Sequence, residues 1–468
     1  MLDPSIANLS RREFLTRTGL GVGSLALCDL VGGSAHGEAA PPAVAGPLAP
    51  KAPHFRPRAK YLIHLFMNGG PSHVDTFDPK PALARFNGQR PPAANIRTER
   101  STAGLMMSPF RFDRHGQSGL EISEIFPRVA EHADELCVIR SMYTNVPNHE
   151  PSLLMMNSGD MQPVRPSMGS WLVYGLGTEN QNLPGYVVMC PGIPTVGPQL
   201  WGNSFLPGIY QGAHINNSNV DPRRVLRDLN NNYLGRASQR EQMDLMRSLN
   251  ELHMQRRGGT DSALESRIQS MEVAFRMQFE AQEVFDLTRE TQSTRTLYGT
   301  SPFANACLSA RRLVERGVRV VQIYTGGGQP WDDHDNIANH RNNAATVDQP
   351  IAALLTDLKR TGLLDETLVL WGGEFGRTPT SEGARGRDHN NHGFTVWLAG
   401  GGVRGGMTYG ATDEFGFAAA QERTHVHDLH ATMLHLMGID HTRLTYRYSG
   451  RDFRLTDVSG RVVQEIIA

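Results

Sequence analysis

Residues 61–71 read YLIHLFMNGGP, a short and mostly apolar run that ends in a glycine-rich loop. A run of this length that is bounded by turn residues predicts a buried strand. Loops that bind ligands commonly follow the ends of strands in α/β sheets. The segment therefore predicts a buried strand followed by a loop that is placed to bind a ligand.

Strand, loop and helix patterns alternate along most of the remaining chain. Between residues 221 and 296 the composition changes to Arg, Glu, Gln, Met and Leu with helical periodicity, which predicts a helical insertion. Strands separated by helices favour an α/β fold with a doubly wound, largely parallel sheet covered on both faces. We predict strands at 136–140, 186–189, 318–324, 367–371 and 394–398, and helices at 122–134, 151–157, 303–315, 344–361 and 426–437.

The balance of charged residues narrows the class of partner. The 468 residues include 46 Lys and Arg against 47 Asp and Glu, which leaves a formal net charge of −1. No overall electrostatic field favours nucleic acid or an anionic membrane surface, so we expect a small-molecule or glycan partner and no nucleic acid.

The cysteines are widely separated and predict buried free thiols rather than a disulfide framework. They are Cys28, Cys137, Cys190 and Cys307.

The N-terminus has the pattern of an export signal. Residues 10–15 read SRREFL, and a weakly apolar, glycine-containing stretch and small residues follow. This predicts a twin-arginine (Tat) signal peptide over residues 1–38, with a periplasmic or extracellular destination. The alternative is a surface helix that happens to contain Arg-Arg. The stretch is too short for a stable membrane span. We expect a disordered or extended linker at 39–58 and the folded domain at 59–468.

Four polar clusters follow predicted strands or lie in nearby loops: residues 68–78, 141–151, 331–335 and 372–393. Their mixture of carboxylates and imidazoles suits Zn, Mn or a similar divalent ion better than Ca. Taken singly, an Asp-x-His is more often a loop cap than a metal site, so the hypothesis requires the clusters to converge. His427, His430 and His435 are interpreted as structural or helix-surface histidines. The candidate metal ligands are Asn68, Asp75, Asp332, His334, Glu374, Asp388 and His389.

The spacing of these clusters resembles that of the alkaline phosphatase and sulfatase superfamily. The sequence motifs themselves are more similar still to those of the Tat-exported family called domain of unknown function 1501. The phrases that carry the resemblance include GGPSHVDTFDPKP, WDDHDNIANH, LLDETLVLWGGEFGRTP and GRDHNNHGFTVWLAGGG, and the similarity runs from Lys60 to the C-terminus. The resemblance implies an alkaline-phosphatase-like three-layer sandwich whose strand ends hold one or two divalent ions.

The superfamily's chemistry implies a nucleophile and cations that stabilise charge. By the resemblance, Asn145 stands where a threonine would attack an ester, so Thr144 or a water on the metal is the candidate nucleophile. His149, in the same loop, is a candidate catalytic residue that could also bind the metal. Arg377 and Arg387 are the candidates to stabilise developing charge. Phe375 occupies the place of a superfamily histidine. No cysteine stands in a C/S-x-P-x-R sequence, which argues against the standard sulfatase mechanism.

Two functional hypotheses follow. The first is an exported metal-dependent hydrolase that acts on a phosphate or sulfate ester of a small molecule or glycan. The second is a catalytically degenerate, metal-containing module that binds or scaffolds an extracellular glycan or protein. The departures at Asn145 and Phe375 favour the second hypothesis, and the preserved carboxylates and histidines favour the first.

Overall fold

The strand predicted from YLIHLF lies within the central sheet. The structure, a computed structural model, describes residues 46–90, 98–218, 234–257 and 262–468. Tyr61–Phe66 is a strand in which all six residues are buried. It pairs in parallel with Val320–Tyr324 on one side and with Thr367–Gly372 on the other. The prediction is confirmed, because a strand covered on both faces requires a nearly continuous apolar run.

Among the described residues, nine strands form this sheet. Phe394–Ala399 runs antiparallel to both of its neighbours, Leu136–Tyr143 and Thr367–Gly372, whereas the other paired strands of the described sheet are parallel. The largely parallel sheet predicted from the sequence is confirmed. The spatial order is Met407–Tyr409, Leu136–Tyr143, Phe394–Ala399, Thr367–Gly372, Tyr61–Phe66, Val320–Tyr324, Tyr186–Met189 and Ala213–Ile215, with Thr424–His425 also beside Leu136–Tyr143.

Helices cover both faces of the sheet and produce three layers. Ile63 and Leu65 pack into one apolar core, while Leu62 and Phe66 pack into the other. This alternation arises because successive side chains of a strand point to opposite faces. The doubly wound arrangement is thereby confirmed. Pro302–Glu315 and His340–Arg360 contribute to the first core, and His149–Ser158, Met168–Leu176 and Val426–Leu436 contribute to the second.

One predicted helix is wrong. Residues 122–134 contain the end of a strand, Leu120–Ser123, which pairs antiparallel with Phe112–His115. A 3₁₀ helix, Val129–Glu135, follows it. The buried residues Ile122, Ile125, Phe126 and Val129 have helix-like spacing, but Pro127 lies between the two elements and proline interrupts a helix interior.

The predicted helical insertion contains two long helices, Arg236–Arg257 and Ser262–Phe285. Arg240 and Arg247 of the first helix form ion pairs with Glu272 of the second. Residues 219–233 and 258–261 lie outside the described residues. The remaining α-helices and strand pairs of the described chain are His73–Thr76, Pro81–Arg85, Gln292–Tyr298, Gly376–Arg377 with His389–Asn390, Ala411–Thr412 with Ala419–Gln421, and Tyr446–Tyr448 with Arg451–Phe453.

Residues 46–58 were expected to be part of a disordered or extended linker, but they pack against the folded body. Leu48 is buried, and the backbone N–H of Lys51 donates to the carbonyl of Leu176. The backbone N–H of Arg58 donates to the carbonyl of Leu436. These contacts order the described part of the segment, which corrects the expected disorder there. The predicted signal peptide, Cys28 and residues 39–45 lie outside the described residues.

The remaining cysteines are buried. Cys137, Cys190 and Cys307 form no disulfide within the described residues, and burial raises the pKa of Cys137 and Cys190 to about 12. The prediction of buried free thiols is confirmed for these three. Across the helices that the structure describes, none combines the length and apolar character needed to cross a membrane.

Candidate metal centre

The polar clusters meet at one edge of the sheet because of where the strands end. His149 follows Leu136–Tyr143, and Asp332 follows Val320–Tyr324; both strands run in the same direction. The carboxyl ends of parallel strands share one edge. His389 precedes Phe394–Ala399 instead of following it. Since that strand is antiparallel, its beginning lies at the same edge, and His389 joins the others.

Four residues form what we call the histidine cluster: His149, Asp332, His334 and His389. Oδ1 of Asp332 lies 2.9 Å from Nε2 of His334, 3.2 Å from Nε2 of His389 and 3.3 Å from Nε2 of His149. The Nε2 atoms of His334 and His389 are 2.9 Å apart. One candidate ligand atom from each residue lies within 4.8 Å of all the others. Three imidazoles and one carboxylate oxygen therefore surround a single small space.

Each histidine of the cluster contacts a further carboxylate through its other ring nitrogen. When a carboxylate accepts the Nδ1 proton of a neutral ring, the lone pair on Nε2 is left to bind a cation in the cluster. Such carboxylate–histidine pairs commonly orient metal-binding imidazoles. The three pairs are His149 with Glu374 at 2.7 Å, His389 with Glu99 at 2.5 Å, and His334 with Glu382.

The electrostatics of the cluster centre on Asp332. Burial alone would raise the pKa of this carboxyl, but His149, His334 and His389 together with the Arg377 guanidinium hold it well below its usual range. The pKa of His334 is raised, chiefly by its hydrogen bond to Asp332. Burial lowers the pKa of His389. Asp332 is therefore the anionic centre on which the imidazoles converge.

The donor set fits a divalent cation. Nε2 of His149 is buried, yet it makes no hydrogen bond with any described residue, although it lies 3.3 Å from Asp332. A buried polar atom without a partner is costly unless another group satisfies it. Imidazole nitrogens with one carboxylate oxygen are ligands that Zn²⁺ and related ions prefer. His149, Asp332, His334 and His389 are the residues that would hold such an ion.

Three of the predicted metal ligands surround this group without joining it. Glu374 accepts from Nδ1 of His149 and also from the backbone N–H of Gly69, at 3.0 Å. Asn68 holds the loop after Val320–Tyr324, since its amide donates to the carbonyl of Gly328 at 2.6 Å. Asp388 accepts from the backbone N–H groups of Arg100 and His389. Asp388 also forms two further groups of candidate ligands within 4.8 Å of one another, one with Glu99 and His389 and one with His334 and Glu382.

The glycine-rich loop is shaped for this packing. Gly69 has φ +113, in the left-handed range that favours glycine. A Cβ atom there would lie 2.7 Å from the backbone nitrogens of Trp331 and Asp332. The loop after Tyr61–Phe66 therefore approaches the backbone that carries Asp332 as closely as only glycine allows.

The side chains of Asp75, Arg377 and Arg387 all form ion pairs or hydrogen bonds with other groups of the protein. Asp75 and Arg387 form a fully buried ion pair, with Nε of Arg387 2.7 Å from Oδ2 of Asp75. Arg377 is also fully buried and donates to Oδ1 of Asp332 at 2.6 Å and to the carbonyl of Gly70 at 2.9 Å. Asp75 thus lies apart from the histidine cluster, and Arg377 orients Asp332.

Thr144 and Asn145 lie in a different cleft. They line a cavity of about 450 Å³ together with Tyr143, His425, His427, Asp428, Ser459 and Gly460. The Oδ1 atom of Asn145 is 2.5 Å from Nε2 of His425. Within the described chain, no hydrogen bond joins the side chains of Thr144 or Asn145 to the histidine cluster. The histidines interpreted as structural include His427 and His430, which bond backbone carbonyls of Gly159 and Met156.

Sequence reasoning missed Glu99 and Glu382. Glu99 follows no predicted strand, and Glu382 was not singled out within the cluster at 372–393; only the fold brings them to His389 and His334. It also left Phe375 without a role. The Phe375 ring lies 4.8 Å from the ring of His149 and 4.7 Å from that of His389, so it packs against two members of the cluster.

Glu374→Gln is expected to weaken metal binding by about 10- to 100-fold, because the amide no longer accepts from His149 as a carboxylate does. Calorimetric titration of the metal-free protein with Zn²⁺ or Mn²⁺ measures this change. Glu366→Gln, at an exposed ion pair with Lys60, is the matched control and should bind metal like the wild type. Equal affinities for wild type and Glu374→Gln would contradict the orienting role.

Comparisons with known proteins place this geometry in context. A search of curated protein sequences gives no match. Among solved structures, the chain is similar to the lipoteichoic acid synthase LtaP from Listeria monocytogenes, with 10% identity, 87% and 78% of the two chains covered, and a TM-score of 0.35. It is also similar to the PsFucS1 sulfatase from Pseudoalteromonas sp., with 13% identity, 82% and 68% coverage, and a TM-score of 0.34.

A third similar structure is a mutant of TAB5 alkaline phosphatase with Mg bound, with 11% identity, 74% and 92% coverage, and a TM-score of 0.30.

The sequence profile described as "Protein of unknown function (DUF1501)" matches residues 59–467. Because this match spans nearly the whole described body, the chain belongs to the DUF1501 family.

Proposed function

We propose that this chain is an exported, metal-dependent hydrolase of a phosphate or sulfate ester. The observation that carries the proposal is the histidine cluster, in which three imidazole Nε2 atoms lie within 3.3 Å of one carboxylate oxygen. A carboxylate on Nδ1 of each ring holds it in this orientation. Such supported donor sets are typical of functional metal centres.

The proposed ion is Zn²⁺ or Mn²⁺, held by His149, Asp332, His334 and His389. A divalent ion there would polarise an ester oxygen and lower the pKa of a water. Asp388, Glu99 and Glu382 lie on the outer side of His334 and His389 and add negative charge. Arg377 is committed to Asp332 and backbone carbonyls, so its proposed role is to position that carboxylate.

Chelation tests the proposal. The mature protein is assayed on aryl phosphate mono- and diesters and on an aryl sulfate, with metal content measured on the same sample. We expect hydrolysis of at least one ester that is lost on chelation and restored by Zn²⁺ or Mn²⁺. His334→Ala should lose both metal and turnover, whereas His435→Ala, at a helix position outside the cluster, should retain both.

The second candidate is a metal-containing module that binds or scaffolds a glycan or protein without turnover. The observation that favours it is the position of Thr144 and Asn145, since neither side chain hydrogen-bonds to a cluster residue among those described. Stoichiometric metal without chelator-sensitive hydrolysis of any ester would support this module and refute the hydrolase.

Export is tested separately on the full chain. Replacing Arg11 and Arg12 together by lysine is expected to keep the protein in the cytoplasm, because a receptor of the export pathway recognises the arginine pair. Cell fractionation and immunoblotting measure the distribution. Arg17→Lys, within the same leader but outside the pair, is the control and should leave export unchanged. Normal export of the double variant would refute the Tat assignment.

A further inference from the structure

The cleft lined by Thr144 and Asn145 differs from the metal centre because it is lined by hydroxyl and amide groups as well as imidazoles. Its volume of about 450 Å³ is in the range of small-molecule sites. We call it the hydroxyl cleft, because hydroxyl, amide and imidazole groups line it. They belong to Tyr143, Thr144, Asn145, His425 and Ser459.

One lining group is buried without a partner. Thr144 is only 4% exposed, and its Oγ1 atom has no hydrogen-bond partner among the residues that the structure describes. A buried hydroxyl left unpaired costs free energy. A ligand that donates to or accepts from Oγ1 would remove this cost.

The described residues that line the cleft include no arginine or lysine. Burial, followed by the nearby His427, lowers the pKa of His425 to about 4, so this imidazole is neutral near pH 7. Asp428 adds a carboxylate to the lining. The helix Val426–Leu436 begins at this wall, but His425 and Asp428 form a capping box that occupies N–H groups of its first turn. A phosphate or sulfate would therefore meet the Asp428 carboxylate in the lining, whereas the Arg423 guanidinium lies over the Tyr143 ring, 4.4 Å from its centroid.

The cleft adjoins the metal centre. The backbone N–H of Thr144 donates to the carbonyl of Asn391, and the Asn391 amide donates back to the carbonyl of Thr144 at 2.9 Å. Asn391 is two residues from His389, and two residues span at most about 7 Å. The segment that carries His389 therefore also contacts the wall of the cleft.

We propose that the hydroxyl cleft binds a neutral, polyhydroxylated group, a sugar ring, next to the metal centre. Thr144 and Asn145 are then recognition groups whose side chains hydrogen-bond to sugar hydroxyls. The ring of Tyr143 lines the cleft beside them and contacts the Arg423 guanidinium and the His425 ring. This inference rests on the proposed function for the identity of the whole substrate, a sugar ester, but the binding of the neutral sugar does not require turnover.

The test is direct binding of ester-free ligands to the mature protein. A panel of neutral monosaccharides (glucose, galactose, fucose and N-acetylglucosamine), with inorganic phosphate as the anionic comparison, is followed by saturation-transfer NMR and calorimetry. We expect at least one sugar to bind saturably. Thr144→Val and Asn145→Ala should each weaken it about three- to tenfold, as expected for one lost hydrogen bond.

Thr346→Val makes the same chemical change on an exposed helix surface and should leave sugar binding unchanged. His334→Ala should also leave it unchanged, since it removes only the proposed metal site. Failure of the hydrolase with retained sugar binding would therefore leave this inference standing. The inference would be overturned if no sugar of the panel binds. It would also be overturned if neither Thr144→Val nor Asn145→Ala changes the affinity for the sugar that binds.

Discussion

Asp332→Asn is expected to abolish stoichiometric metal binding and to weaken affinity for Zn²⁺ or Mn²⁺ by more than about 100-fold. Replacing a residue that only orients a ligand typically costs 10- to 100-fold, and Asp332 stands at the centre of the cluster itself. The variant keeps the side-chain volume but replaces the anionic oxygen that three histidine Nε2 atoms face. Metal content after dialysis and calorimetric titration measure the loss. Turnover of any ester substrate should fall with it.

The adjacent residue supplies the matched control. Asp333 accepts from Nδ1 of His340 at 2.6 Å, and Nε2 of His340 accepts from the backbone N–H of Ser72. Asp333→Asn makes the same chemical change one residue away and should bind metal normally. Wild-type metal affinity in Asp332→Asn would refute the proposed metal centre. A folded-state check by circular dichroism is needed for both variants, because Asp332 also accepts from Arg377.

Asp75→Asn is expected to lower the free energy of unfolding by about 3–5 kcal/mol, the cost of leaving a buried charge unpaired. Asp75 and Arg387 are both fully buried, so the Arg387 guanidinium is not exposed to solvent that could replace the lost carboxylate. Urea denaturation at pH 7 measures the change. Asp452→Asn, at the exposed pair with Arg447, is the control and should cost about 0–1 kcal/mol. Equal effects of the two substitutions would contradict a structural role for the buried pair.

Acid provides an independent measurement of the same pair. Burial would raise the pKa of Asp75, but Arg387 outweighs it and holds the pKa below its ordinary value. The stabilisation is therefore present above the unfolded-state pKa of about 3.9 and is lost as the pH falls through the folded-state pKa. The stability difference between wild type and Asp75→Asn should shrink at pH 3. A constant difference from pH 7 to pH 3 would show that the carboxylate charge is not its source.

Local patterns predicted much of the fold. The apolar run at Tyr61–Phe66 and the strand at Thr367–Gly372 were recognisable because buried parallel strands need continuous apolar residues. The pattern failed at residues 122–134, where apolar residues with helix-like spacing belong to a strand and a 3₁₀ helix. Spacing alone does not distinguish these when a proline separates them.

The candidate site was predictable only in part. Asp332 and His334 stood out because they follow the glycine loop after a strand, and His389 because it precedes one. The roles of neighbouring carboxylates depend on distances that no local pattern contains. Glu374 contacts a histidine ring, whereas Asp75 pairs with an arginine that is 312 residues away in the chain.

The sequence by itself determined a layered α/β body and a supply of carboxylates and imidazoles at strand ends, because both depend on residues that are close along the chain. Only the tertiary structure decided which of them meet. The reversed direction of Phe394–Ala399 brings His389 to the edge where parallel strands deliver His149 and Asp332. The direction of a strand is set by its neighbours in the sheet, and its own residues do not encode it.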